Sequence, residues 1–128
     1  MGVKHYEVII IGGGMTGLAM ALSLGRHRVK TLLIDKKELH STTLPEFDGR
    51  VSAISLGSRY ILEALSAWQG MLSHAQPIYD IRVHEATGFD HVHYNHQRVG
   101  DEPMGHIIEN RHIRAALLAE LPKHSSVT

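Results

Sequence analysis

The chain contains no cysteine, so it can form neither a disulfide nor a thiolate zinc site, and nothing staples it for life outside the cell. It has no excess of either charge. Thirteen Lys and Arg balance thirteen Asp and Glu, so no net field draws it towards nucleic acid or an anionic membrane, and no nucleic acid partner is expected. Long apolar runs are missing as well. Val8 to Ile11 is four residues long before glycines interrupt it, shorter than a signal-peptide core and far shorter than the ~20 residues of a membrane span. There is no internal repeat, no low-complexity segment and no G-x-S-x-G nucleophile motif. A reducing, cytoplasmic setting fits these absences. With 128 residues the chain can bury one hydrophobic core, and is too short for a cofactor domain plus a full substrate domain.

What is present begins with a βαβ pattern over about residues 5–35. Tyr6 to Ile11 is nearly continuous in β-branched residues, as expected of a parallel strand covered on both faces. Small and apolar residues from Met15 to about Leu24 predict a helix, with Gly25 as its stop. Val29 to Ile34 reads as the second strand, ending at Asp35. Residues 36–49 are polar, carry Pro45 and Gly49, and predict a long surface loop. "RVSAISLGS" suggests a short strand, followed by a helix capped by Ser58 and running through Trp68 with Ile61, Leu62 and Leu65 on its apolar face. Alternation in Ile78–His84 and in Phe89–Tyr94, around Gly88, predicts a β-hairpin over about 78–95. Residues 103–108 lead into a last helix at about 110–121 with Ile113, Leu117, Leu118 and Leu121 on one side. Pro122 and "KHSSVT" form a polar tail.

Gly12, Gly14 and Gly17 satisfy G-x-G-x-x-G, which alone is a weak signal. Here it follows a buried strand, opens a helix and precedes an acid, Asp35, at the end of the next strand, as a dinucleotide site requires. Gly12 permits the tight turn, Gly14 leaves room for a pyrophosphate, and Gly17 lets the helix approach the strand. Free backbone N–H groups and the positive end of the helix dipole would meet the phosphates. Asp35 would accept hydrogen bonds from a ribose hydroxyl. Lys36 could meet a 2′-phosphate or simply face solvent. The bland alternative is a tight strand-to-helix turn and a strand-ending acid. These spacings do not separate FAD from NAD.

The ordered segments "VIIIGGGMTG", "LLIDKK", "FDGRVSAISLGSRYILEALSAW" and "MGHIIENRHIRAALLAEL" resemble the N-terminal part of the ubiquinone-biosynthesis FAD-dependent hydroxylases, relatives of para-hydroxybenzoate hydroxylase. The resemblance implies an α/β, Rossmann-like FAD-binding segment, residues 1–128 being the N-terminal part of the domain. It implies reduction by NAD(P)H and hydroxylation of a polyprenylated aromatic ring with O2. By the same resemblance Gly12, Gly14 and Gly17 match the phosphate loop, Asp35 matches the ribose-binding acid, and Arg50 and Arg111 match residues that touch the cofactor. Two cations converging on a pyrophosphate would help neutralise it; for each the plainer reading is surface solubility or an ion pair. Two departures stand out. The family has a glycine at the turn before the second strand, where this chain has Arg28. A later Gly-Asp motif is missing, since Gly100-Asp101 lacks the expected surroundings. Other flavin oxidoreductases, an NAD(P)-binding module and a non-catalytic fragment are the alternatives.

Eleven histidines include His91 and His93 on one face of a strand, where His84 or His96 could complete a metal site. No carboxylate is built into that cluster by sequence, and no metal is expected. No catalytic side chain is assigned, because flavin chemistry belongs to the cofactor. The implied partners are a polyprenylated aromatic molecule, a membrane surface at the inner membrane or a multiprotein biosynthetic complex. A sheet lacking its later strands would leave an open edge and favour homo-oligomers.

Overall fold

The computed structural model describes residues 2–39, 46–88 and 90–128. The part of the 36–49 loop at 40–45 lies outside the described residues, as do Met1 and Phe89. Strand β1 (Val8–Ile11), helix α1 (Met15–Arg26) and strand β2 (Thr31–Ile34) form a βαβ unit. β1 and β2 are parallel, with Val8 opposite Thr31 and Ile11 opposite Ile34. Helix α1 covers only one face of this pair. Val8 and Ile10 are half-buried, whereas Ile9 is 58% and Ile11 86% exposed, so the expectation of a strand covered on both faces is corrected. The second face has no helix among the described residues to cover it.

Strand β3 (Val51–Ser55) leads directly into α2 (Leu56–Ala64), then come α3 (Trp68–Met71) and β4 (Gln76–Ile78). Strand β5 (Asp80–His84) pairs antiparallel with β6 (His91–Asn95) as a hairpin, with Asp80 opposite Asn95. Ile78 therefore does not start the hairpin. It ends β4, which together with β3 flanks β7 (Gly105–Glu109) in a three-stranded antiparallel sheet. β7 is the central strand, and the sequence pattern left it without an element. Gly105 is required there, because a Cβ would sit 2.5 Å from the Ile54 carbonyl oxygen. Helix α4 (Asn110–Glu120) follows at once. Ile113, Ala116, Leu117 and Leu118 of α4 join Leu18, Leu22, Leu62, Leu65, Trp68, Met71 and Ile108 in one apolar core. Each large aliphatic side chain fully buried there contributes about 1.5–3 kcal/mol.

Helix ends differ from the sequence expectation for a common reason. Gly25 does not stop α1; it lies inside the helix, buried, where a Cβ would meet His124 at 2.8 Å. The stop comes at Arg28, held at φ 59. The Arg28 N–H donates to the Gly25 carbonyl and the Val29 N–H to the Leu24 carbonyl, the paired bonds of a Schellman ending. Helix α2 ends the same way at Ser66, φ 63, with Ser66 N–H to Glu63 and Ala67 N–H to Leu62. That turn breaks the expected helix before Trp68 and carries Trp68 into the core, while Ile61 is left 61% exposed. The cap of α2 is Ser55, not Ser58: the Ser55 Oγ accepts from the Ser58 N–H at 3.2 Å. The polar tail is also structured. Thr31 N–H donates to the Ser126 carbonyl, Leu33 N–H to Thr128, and Thr128 N–H to Thr31, so residues 126–128 run along the second edge of β2.

An arginine in the left-handed region carries about 1–2 kcal/mol of strain. Arg28→Gly should therefore raise stability in urea denaturation by roughly 0.5–1 kcal/mol, glycine's greater chain entropy offsetting part of the relief. Arg28→Val, β-branched at positive φ, should lower it by more than about 1 kcal/mol.

Candidate functional site

The glycine turn sits where β1 ends and α1 begins. Gly12 adopts φ 109, and its N–H donates to the Ile34 carbonyl at 2.7 Å. Gly17 packs so closely on it that a Cβ would lie 1.9 Å from the Gly12 carbonyl oxygen. A Cβ at Gly14 would meet nothing within 4 Å. Gly14 is also the N-cap of α1, with no side-chain cap and no acid in the first turn. The first N–H groups of α1 therefore have no intrahelical partner, and the positive end of the helix is uncompensated.

Asp35 closes the turn from the end of β2. Its carboxylate accepts from the Gly13 N–H at 2.6 Å and the Lys37 N–H at 2.9 Å. The Lys37 and Gly13 hydrogen bonds, with Arg114 and Lys36 nearby, hold its carboxyl below the usual carboxylate range. Arg114, on α4, grips the loop from the other side. Its guanidinium donates to the Gly13 carbonyl and, at 3.3 Å, to the Leu39 carbonyl. Both backbone polar groups of Gly13 are thereby held by charged side chains.

A cleft of about 260 Å³ opens beside this turn, lined by Gly14, Met15, Asp35, Asp48, Arg50, Asn110, Arg111 and Arg114. It brings together three segments far apart in sequence: the βαβ unit, the start of β3 and the start of α4. Of the expected residues, Gly14, Asp35, Arg50 and Arg111 line it. Gly12 and Gly17 shape the turn behind it, and Lys36 is exposed and not part of its wall. Both arginines hold acid partners two residues earlier. Arg50 pairs with Asp48 at 2.6 Å, its side chain 72% exposed, and keeps that carboxyl low. The Arg111 Nε donates to Glu109 at 2.5 Å. The ion pair offered as the plainer reading is thus present for each, and both arginines also line the cleft.

Sequence reading missed Arg114, Asn110 and Asp48. Asn110, Arg111 and Arg114 stand at helical spacing, a signal that could have marked them as one face. Asn110 is fixed to β3 through the Ser52 Oγ at 2.6 Å. The histidines are placed otherwise. His93 bonds Asp80 at 2.6 Å, so a carboxylate does stand beside that cluster, and the His84 and His91 rings stack 5.4 Å apart. Among the described residues no three ligand-type side chains group closely enough to hold a metal.

The donor set fits a dinucleotide. A pyrophosphate finds unpaired helix N–H groups and guanidinium charge, the space at Gly14 admits it, and Asp35 offers an ionised acceptor at the end of β2 for a sugar hydroxyl. Comparisons with known proteins agree. Residues 5–120 match the family described as FAD binding domain. The ubiquinone hydroxylase UbiL of Rhodospirillum rubrum is 34% identical over 125 residues, covering 98% of this chain and 29% of that protein. The mitochondrial ubiquinone biosynthesis monooxygenase COQ6 of Danio rerio is 36% identical over 123 residues, covering 91% of this chain and 25% of that one. The chain thus spans less than a third of these relatives. Among solved structures, a mutant of P. aeruginosa PqsL superposes with a TM-score of 0.77 at 16% identity, over 98% of this chain and 33% of that one. The flavin-dependent monooxygenase PieE, in complex with FAD and substrate, does so with a TM-score of 0.69 at 16% identity, over 99% and 24%. Those structural likenesses establish the fold.

Two outcomes test the loop's construction. Arg114→Met should speed amide exchange in the 12–18 segment by about tenfold or more, as expected for loss of charge-assisted hydrogen bonds, read by hydrogen exchange with mass spectrometry. Asp35 has a lowered folded pKa, so its stabilisation is present above the unfolded value of about 3.9 and is lost as pH falls through the lower folded value. Asp35→Asn should remove that acid-dependent loss, seen as a flatter stability profile below pH of about 4 in denaturant titrations.

Proposed function

The chain belongs to the FAD binding domain family, and from that premise we propose that it is the FAD-binding portion of a monooxygenase that hydroxylates the aromatic ring of a polyprenylated ubiquinone precursor with NAD(P)H and O2. The observation that carries the reading is the cleft itself: an uncapped helix start, a turn shaped by Gly12 and Gly17, an ionised Asp35 and three arginines converge on one opening. The reaction is supported by the names of its relatives, ubiquinone hydroxylase and ubiquinone biosynthesis monooxygenase. FAD, once bound and reduced, supplies the oxygen activation that side chains cannot.

The chain's own part is binding and orientation. Asp35 accepts the ribose hydroxyls of the adenosine half. Gly14 leaves the pyrophosphate room to reach the first N–H groups of α1, and Arg50 and Arg111 offset its charge from the opposite wall. Lys36, exposed beside Asp35, would meet a 2′-phosphate or face solvent. A polyprenylated substrate brings the protein to a membrane surface, and no helix among the described residues is long and apolar enough to cross one.

Gly14→Ala is the discriminating variant. Its Cβ meets nothing in the protein, so stability should be unchanged, yet it intrudes where the pyrophosphate lies. Wild-type protein mixed with FAD and desalted should keep a flavin absorption spectrum. Gly14→Ala and Asp35→Ala should each weaken FAD binding by about tenfold or more. Equal retention by all three would overturn the site assignment. Hydroxylation is supported if the intact enzyme that contains this portion consumes NAD(P)H and O2 in step with a polyprenylated phenol, and overturned if its consumption is indifferent to the phenol.

A further inference from the structure

Charges that balance in number do not balance in place. At the N-terminal ends of β1 and β2, about 13 Å of strand away from the glycine turn, a second cavity of about 670 Å³ is lined by Arg26, Arg28, Lys123, His124, Ser125 and Ser126, with the Gly25 backbone. No carboxylate lines it. We propose that this cavity is a binding site for a phosphate-bearing anion, separate from the FAD cleft.

The cations are not accounted for by capping α1. The end of that helix carries the equivalent of about half a negative charge, and the Leu24 and Gly25 carbonyls already accept backbone N–H groups. Arg26 donates to the Ser66 Oγ at 3.4 Å, and Lys123 holds Glu120 at 2.7 Å. The backbone N–H of Arg28 closes the helix end, while its guanidinium makes no hydrogen bond or ion pair among the described residues. It is carried by a residue in the strained left-handed region, φ 59. Strain of that kind persists where the surrounding structure imposes it and gathers at functional sites.

The opposite wall is fixed rather than free. His124 packs on Gly25 so tightly that a Cβ there would clash at 2.8 Å, and the Ser126 carbonyl accepts from the Thr31 N–H at 2.9 Å. Two guanidinium groups, two serines and a histidine line one opening. Guanidinium forks and hydroxyl donors match the tetrahedral oxygens of a phosphoryl group. That chemistry belongs equally to a free phosphate or diphosphate and to an anionic lipid headgroup.

The test keeps FAD at saturation, so that the glycine turn is occupied, and compares wild type with Arg28→Gly, which the backbone favours, and with Arg26→Gln. In the first arm inorganic pyrophosphate is titrated and the thermal midpoint followed. In the second, co-sedimentation is measured with vesicles of phosphatidylglycerol and of phosphatidylcholine. Pyrophosphate stabilisation that weakens by about tenfold or more in apparent affinity in both variants supports the site with a soluble ligand. Sedimentation with phosphatidylglycerol alone that drops by a similar factor in both variants supports it with a lipid headgroup. Responses in both arms that are the same for wild type and Arg28→Gly overturn the proposal, whether or not FAD binds.

Discussion

Gly13 is held by both of its backbone polar groups, its N–H by Asp35 and its carbonyl by Arg114, and the site depends on this double grip. A loop of three glycines left to itself has more conformational freedom than any other tripeptide. Two opposite charges, delivered from the end of β2 and from α4, fix its path. With Gly13 so engaged, the N–H groups of the next residues, at the start of α1, are the donors left without a partner inside the helix. The close contact of Gly17 with the Gly12 carbonyl then sets how near α1 lies to β1. An anion site is made here by satisfying the backbone around it and leaving one helix start unsatisfied.

Helix α4 joins this grip to the core. One face places Ile113, Leu117 and Leu118 among the buried side chains. The first turn and the neighbouring face place Asn110, Arg111 and Arg114 on the cleft. The rigidity that positions the arginines thus comes from the same burial that stabilises the domain, worth about 1.5–3 kcal/mol for each large aliphatic side chain. β7 serves the same end. As the central strand between β3 and β4 it feeds straight into α4, and the Asn110 N–H at the start of that helix donates to the Arg50 carbonyl beside β3.

The two ends of the βαβ unit differ in electrostatic character. At the cleft, Arg50 and Arg111 hold Asp48 and Glu109 and Asp35 lines the same opening, so positive charge is held in place by pairing. At the opposite end, among the described residues, the cations of the second cavity have one ion pair, Lys123 with Glu120. A chain of zero formal charge therefore presents a positive local field at one end, which counting residues cannot reveal.

The sequence alone determined the βαβ unit, the glycine turn and its acid, the hairpin and the last helix. These rest on local signals: β-branched runs, glycine spacing, period-two alternation and an apolar helical stripe. It offered an ion pair for Arg50 and for Arg111 without naming the partners, which the structure gives as Asp48 and Glu109, each two residues earlier. Tertiary structure decided the rest. That β7 is a central strand depended on partners far away in the chain, in β3 and β4. That α1 runs past Gly25 depended on His124 and Val127 packing where a Cβ would stand, so a glycine that looks like a stop is a contact. That the tail at 126–128 pairs with β2, and that Arg114 and not Lys36 reaches the glycine turn, followed from the docking of α4 against α1. Long-range packing chooses among residues that local pattern treats as equal, because each contact is worth little until the core has brought its two sides together.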